Sequence, residues 1–190
     1  NYALGKKFNA IVGVRAEQNS QKLNSADLVG KPINYNNTRL DILPSLNLTY
    51  NFSEKSLLRL AYGKTLNRPE FRELAPFSFY DFVNNRTVSG NPTLQNADIQ
   101  NFDFRYEFYP TPTELISVAA FYKDFTNPIE VVFASGANPI LNFSNAKSAY
   151  STGIEAELRK NLNASHPNSI LGKTSLVFNG TYIFSRVKLD

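Results

Sequence analysis

Between Gln100 and Asp124 the chain reads QNFDFRYEFYPTPTELISVAAFYKD, and few folds accommodate it. In its first half Phe102, Phe104, Tyr106 and Phe108 fall at alternate positions, with Asn101, Asp103, Arg105 and Glu107 between them. This period of two is that of an extended strand with one apolar and one charged face. The run Pro110-Thr-Pro-Thr breaks the strand, because proline fixes φ and removes a backbone donor. Alternation then resumes, with Ile116, Val118, Ala120 and Tyr122 on one face. The stretch is therefore a long hairpin. Four aromatics in one row, opposed by four polar groups, fit a strand of about ten residues between lipid and a wet lumen. A solvated sheet packed on a core would also alternate, so the rest of the chain has to separate the two readings.

The same pattern recurs. Phe8–Glu17, Leu40–Phe52, Leu57–Thr65, Ala149–Arg159 and a last run through Leu176, Phe178, Tyr182 and Phe184 all alternate. Pro44 stands on an apolar face without a ladder donor, which predicts a bulge or kink. Gln18–Arg39, Leu66–Asp98 and Phe125–Ala146 do not show the apolar alternation and read as long loops, the last with an extended piece at Ile129–Phe133. About seven strands result, with long connections after the first, third and fifth and shorter ones between, the asymmetry of an outer-membrane barrel. The expected fold is an all-β, antiparallel, up-and-down transmembrane β-barrel segment.

Composition bears on what such a chain can do. No run of 18 apolar residues exists, which excludes a transmembrane helix and says nothing against a barrel. The net charge of +4 is too small to indicate a nucleic-acid partner. Cysteine is absent and His166 is the one histidine, so neither a metal site nor a cofactor is expected. Glu155 and Glu157 point the same way on a strand, but nothing in the sequence supplies the enclosed pocket a carboxylate pair needs for glycoside chemistry; no catalytic residue is assigned. Asn163-Ala-Ser165 matches a glycosylation pattern and is read as chance. The strand pattern continues to the last residues without a terminal device, and the chain reads as an excerpt of a larger barrel.

The ordered set Leu43-Pro44-Ser45, Arg68-Pro69-Glu-Phe-Arg-Glu-Leu74, Gly90-Asn91-Pro92 and Phe121-Tyr122-Lys123 resembles TonB-dependent receptors, most of all the barrel portion of Bacteroidetes forms, over nearly the whole chain. The resemblance implies a barrel of about 22 strands filled by a plug, with residues 1–190 as part of its wall. It also implies energised uptake of a nutrient (siderophore, cobalamin, glycan or peptide), with TonB, outer-membrane lipids and lipopolysaccharide as partners and no enzymatic activity. A non-transporting outer-membrane or surface β-protein, an adhesin or an assembly barrel, is the alternative.

Two groups of residues are candidates for function. Arg59, Asp103, Arg105, Glu107, Glu155 and Glu157 are expected to face the lumen, with Arg59 and Glu107 at similar depth on neighbouring strands. Phe79, Tyr80, Asp81, Asn84, Asn85 and Arg86 from the third connection, and Asn127, Glu130, Asn138 and Asn142 from the fifth, are expected to leave the same rim side by side and bind a polar ligand. Aromatic and arginine side chains are the types enriched at binding hot spots. The segment Arg68–Leu74, nearest the strand, reads as structural, its arginines paired with Glu70, Glu73 and Asp81 or with lipopolysaccharide phosphates.

Overall fold

A computed structural model of the chain describes residues 2–3, 7–26, 30–134, 140–162 and 174–189. Its main element is one antiparallel sheet. It contains β1 (Tyr2–Ala3), β2 (Phe8–Ala26), β3 (Pro32–Asn51), β4 (Ser56–Asn67), β7 (Ala97–Phe108), β8 (Leu115–Thr126), β11 (Ser148–Asn161) and β12 (Ser175–Lys188), adjacent in that order. Between β4 and β7 lie a one-turn helix α1 (Phe71–Leu74) and strands β5 (Ser78–Asp81) and β6 (Arg86–Ser89); between β8 and β11 lie β9 (Ile129–Ala134) and β10 (Ile140–Asn145). These four short strands make a second sheet in the order β5-β6-β10-β9. The main sheet is open: it has two free edges.

The registers align the alternating residues across strands. One row runs Ala10, Leu48, Leu60, Phe104, Ala120, Ile154 and Tyr182. The next runs Val12, Leu46, Tyr62, Phe102, Tyr122, Thr152 and Phe184. Rings make contact along it, Tyr62 with Phe102 at 5.1 Å and Phe102 with Tyr122 at 6.4 Å, and Phe184 reaches Tyr150 of the next row at 6.0 Å. Just beyond it the row Lys64, Gln100, Asp124, Tyr150 and Arg186 turns polar. Toward the short turns, Tyr50, Phe52 and Tyr106 make a second aromatic belt. An apolar band between two aromatic girdles is the lipid-facing surface of an outer-membrane barrel.

Burial decides between the two readings of the alternation. Val12, Leu60, Phe104, Val118, Ile154 and Tyr182 on the apolar face are all exposed, whereas the opposite face buries Asp41, Glu107 and Ser117. A water-soluble sheet would bury the first face and wet the second. The buried apolar residues (Leu74, Ala75, Val88, Leu94, Ala97, Leu141 and Ala146 among the described residues) lie at the loop end of the sheet.

Two expectations are corrected. Gln18–Arg39 is not a long loop: β2 and β3 pair without interruption from Phe8↔Tyr50 to Ala26↔Pro32. Beyond the membrane both faces of a hairpin meet water, so its strands need no apolar row, and backbone hydrogen bonds alone extend the ladder. Nor does Pro44 make a bulge, since it pairs in register with Val14. Its effect is on the other side. The β3–β4 ladder begins at Ser45↔Gly63, next to the proline, although β4 continues to Asn67 against β7. A residue without an N–H thus stands where the two strands part.

Candidate functional site

The parted strands leave a seam that charge fills. Arg68, just past the end of β4, reaches Glu17 at 3.0 Å and Asp41 at 3.2 Å. Arg39 contacts Asp41 at 2.5 Å and Asp98 at 2.8 Å, and Lys64 lies 3.4 Å from Asp98. With Arg15 2.7 Å from Glu17, four cations therefore meet three carboxylates, one of them the buried Asp41. Arg68 has its partners on β2 and β3, not Glu70, Glu73 or Asp81 as the local sequence suggests. The structural reading of this motif stands, through contacts distant in sequence.

From Arg68 the chain turns over the lumen side of the wall. Gln21 donates from Nε2 to the Pro69 carbonyl at 3.0 Å, and Asn37 donates from Nδ2 to Asn96 Oδ1 at 3.4 Å. Gln21 and Asn37 are opposite each other and share the face of Glu17 and Asp41. Pro69 and Leu74 are fully buried, and Leu74 belongs to α1, whose first turn is closed by the Glu70 N–H donating to Glu73 Oε2 at 2.9 Å. Gly90 lets the chain pass against this turn: a Cβ there would strike the carbonyls of Arg72 and Ala75. Asn91 then donates its backbone N–H to Glu73 O at 2.5 Å and its side-chain amide to Phe143 O at 2.9 Å. The Gly90-Asn91-Pro92 motif thus joins α1 to β10.

The third and fifth connections are one structure. β6 and β10 pair in parallel at Leu141↔Val88, both buried. Asn145 accepts the Gln95 N–H at 2.8 Å and donates to the carbonyls of Gln95 and Asn127, at 3.0 and 2.8 Å. The sequence places these loops on one rim; it does not show that they share a sheet. Asn91, Gln95 and Asn145 were not among the candidates, because an amide that binds backbone far away leaves no local pattern.

The β5–β6 hairpin spends most of its polar candidates on its own turn. Asp81 accepts the N–H groups of Val83 and Asn84 at 3.1 and 3.2 Å and the Asn84 amide at 2.7 Å, with Arg86 3.7 Å away. The Asn84 side-chain and backbone donors, with Arg86 adding a smaller effect, hold the Asp81 carboxyl below its ordinary range. Asn85 has φ 52°, the left-handed geometry the turn requires, and its side chain accepts from the Tyr80 hydroxyl. Phe79 lies under the Arg72 guanidinium at 5.6 Å. What the tip presents outward is apolar: Phe82 is 86% exposed and Val83 92%, with Tyr80 edge-on to Phe82 at 5.0 Å. Neither is among the candidates named from the sequence, although two adjacent apolar residues inside a polar loop are a legible signal.

On the other connection, Asn127 has φ 53° and turns the chain from β8 into β9. Glu130 sits opposite Ser144, and Asn142 opposite Val132 with its Oδ1 on the Phe143 N–H at 2.7 Å. Asn138, like His166 and Asn163–Ser165, lies outside the described residues.

Below this cover, the six lumen candidates share one face. Arg59 stands directly opposite Arg105, and Glu107 next to them relieves the like charges, 3.2 Å from Arg59 Nε and 3.0 Å from Arg105 Nε. Tyr109 donates to the other Glu107 oxygen at 2.8 Å. The chain of charge continues through Arg105–Glu157 at 3.1 Å to Arg159–Glu157 at 3.4 Å. Glu155 lies in the Arg105 row, and Asp103, one row higher, makes no ion pair among the described residues. Near the short turns, Lys160 contacts Glu114 at 2.8 Å and ties that turn to the end of β11. Arg59, Arg105, Glu107, Glu157 and Arg159 thus form a chain of paired charges on the lumen face, with Asp103 and Glu155 outside it, and the described residues hold no cluster of metal-ligating groups.

Comparison with known proteins agrees with this architecture. The siderophore receptor PirA from Pseudomonas aeruginosa superposes with a TM-score of 0.66 at 19% identity, over 97% of this chain and 41% of that one. The ferric enterobactin receptor PfeA from the same organism, in complex with enterobactin, gives 0.60 at 17% identity over 95% and 34%. The Serratia marcescens hemophore receptor HasR, in complex with HasA and heme, gives 0.58 at 12% identity over 93% and 38%. The chain thus spans about two-fifths or less of the length of these structures. No curated protein matches the sequence. Residues 1–185 match the outer membrane protein beta-barrel family, and with the lipid-facing rows and the charged lumen this shows that the chain belongs to that family and resides in the outer membrane, as a run of adjacent strands of a barrel wall.

Proposed function

We propose that residues 1–190 are part of the barrel of a TonB-dependent receptor of the Bacteroidetes type, which imports a nutrient through a plugged lumen with energy delivered by TonB. The observation that carries the reading is the joined cover: two loops from alternate hairpins, linked by β6–β10 pairing, bend over the lumen side of the wall. An adhesin has no need to roof its own lumen, and an assembly barrel has no need of a fixed roof. The ligand class is a polar, multidentate small molecule, held between the β5–β6 hairpin and the β9–β10 hairpin, with Glu130, the Asn142 amide N–H groups and the outer Arg86 N–H groups as polar contacts and Tyr80, Phe82 and Val83 as an apolar tip. A ferric siderophore or heme is the first class to test, since those are the ligands named for the similar structures. Cobalamin, glycan and peptide follow.

The test is deletion of Phe79–Arg86 from the whole protein, with uptake scored as growth on ferric enterobactin or heme as sole iron source. Loops contribute little to a barrel's ladder, so the barrel is expected to assemble while uptake is lost, and removal of TonB is expected to abolish uptake in the unaltered protein. Uptake that survives both changes would sink the proposal.

A further inference from the structure

Charged and polar groups dominate the lumen face, but at its loop end one row is apolar from strand to strand. Ile99, Phe125, Ala149 and Val187 stand directly opposite one another on β7, β8, β11 and β12. The next row on the same face, toward the short turns, is Asn101, Lys123, Ser151 and Ser185, all polar. Ile99, Phe125 and Ala149 lie on strands that have both neighbours within this chain. The root of β9 closes the row from above: Pro128 is buried, and Ile129 and Glu130 are half-buried. Between the row and β9 there is a hollow of about 390 Å³. Its lining is apolar with two polar points. Ser185 Oγ donates to Ser151 Oγ at 2.9 Å, so the Ser151 hydroxyl keeps its own proton to donate. Glu130 borders the hollow and makes no ion pair among the described residues. The nearby cations point elsewhere. Lys123 lies over the Phe121 ring at 5.9 Å, and Arg186 stands on the outward row opposite Tyr150.

An apolar row on a wetted face contributes nothing until apolar surface covers it, and a carboxylate beside it favours a cationic donor. A hollow of this volume falls in the range of ordinary small-molecule sites. We propose that the hollow beneath the root of β9 binds an apolar or aromatic group that carries an ammonium. The hydrocarbon lies on Ile99, Phe125 and Ala149, and the ammonium meets Glu130. This deepens the import reading, on which Glu130 contacts the ligand, by naming the chemistry of one part of that ligand. Binding is measured without uptake, so the pocket can fail while import stands.

The test uses the whole protein in lipid nanodiscs, with naphthylethylamine as the probe at neutral pH and binding read by equilibrium dialysis against empty nanodiscs. The amine is expected to bind about tenfold tighter than naphthylethanol, the size of one hydrogen bond to a charged group, and naphthylacetate is expected to bind weakest. Glu130→Gln is expected to bring amine and alcohol within about twofold of each other. Ala149→Phe fills the hollow and is expected to weaken both by about tenfold or more. Glu130 lies outside the main sheet, so its replacement leaves the wall intact and keeps the test decisive where Ala149→Phe fails to assemble. Lys55→Gln, at the other end of the sheet, is expected to change nothing. No binding above that of empty nanodiscs, equal affinity for amine and alcohol, or an undiminished amine preference in Glu130→Gln would overturn the assignment.

Discussion

Replacing Phe104 by arginine probes the membrane reading at its most sensitive point. Phe104 sits in the row with Leu60, Ala120 and Ile154, and its side chain is exposed on the apolar face. On β7 and its turn, that face is bounded by Gln100 on one side and Pro110 on the other. About ten residues at ~3.3 Å each give ~33 Å of strand, and a tilt of about 40° reduces this to ~25 Å, the height of the apolar band of a barrel. Phe104 lies next to the midpoint. An arginine at midplane depth costs about 2–4 kcal/mol, falling to about 0–1 kcal/mol at the interface. Phe104→Arg is therefore expected to lose most of that range and Phe108→Arg, nearer the turn, much less. Asp103→Asn is expected to cost under about 0.5 kcal/mol, since its side chain faces the lumen without an ion pair. The assay is denaturant unfolding of the whole barrel in lipid vesicles, compared at constant m-value. Equal costs at positions 103 and 104, or no difference between 104 and 108, would refute the assignment of the apolar face to lipid.

Further outcomes follow from the cover and the seam. Arg68→Ala removes two contacts to Glu17 and Asp41 and leaves buried Asp41 to Arg39 alone; a loss of about 1–3 kcal/mol is expected, with faster proteolysis between residues 69 and 96. Gly90→Val drives a side chain into the carbonyls of Arg72 and Ala75, so amide protection in α1 is expected to fall about tenfold or more by hydrogen exchange while the wall keeps its melting behaviour. The Asp81 carboxyl is depressed in the folded turn from an ordinary value of 3.8. Its contribution is thus complete above that value and is lost as pH falls through the lower folded one. Protection of the Val83 and Asn84 amides is expected to hold at neutral pH and to collapse only in strong acid, and Asp81→Asn is expected to remove this pH dependence.

Most of the wall could be read without the structure. The contrast between lipid and a wet lumen imposes alternation residue by residue, so Phe102 to Phe108 announce their faces locally, and the short turns after Phe52 and Phe108 set the register that brings Arg59 to Glu107. The resemblance to known receptors rested on short motifs whose contacts the sequence could not show: Arg68 finds its carboxylates on β2 and β3, and Asn91 finds a carbonyl on β10. The extension of β2 and β3 through Gln18–Arg39 is not legible in the sequence, because outside the membrane a strand needs no apolar face. Asp81, Asn84 and Asn85 carry chemistry that binds ligands and here hold their own turn, since an amide or carboxylate serves either purpose and only three-dimensional proximity decides which. The pairing of β6 with β10 joins residues 53 positions apart at Leu141↔Val88. No periodicity encodes that partner choice; it follows from two hairpins leaving the same rim and burying Val88 and Leu141 where their strands pair.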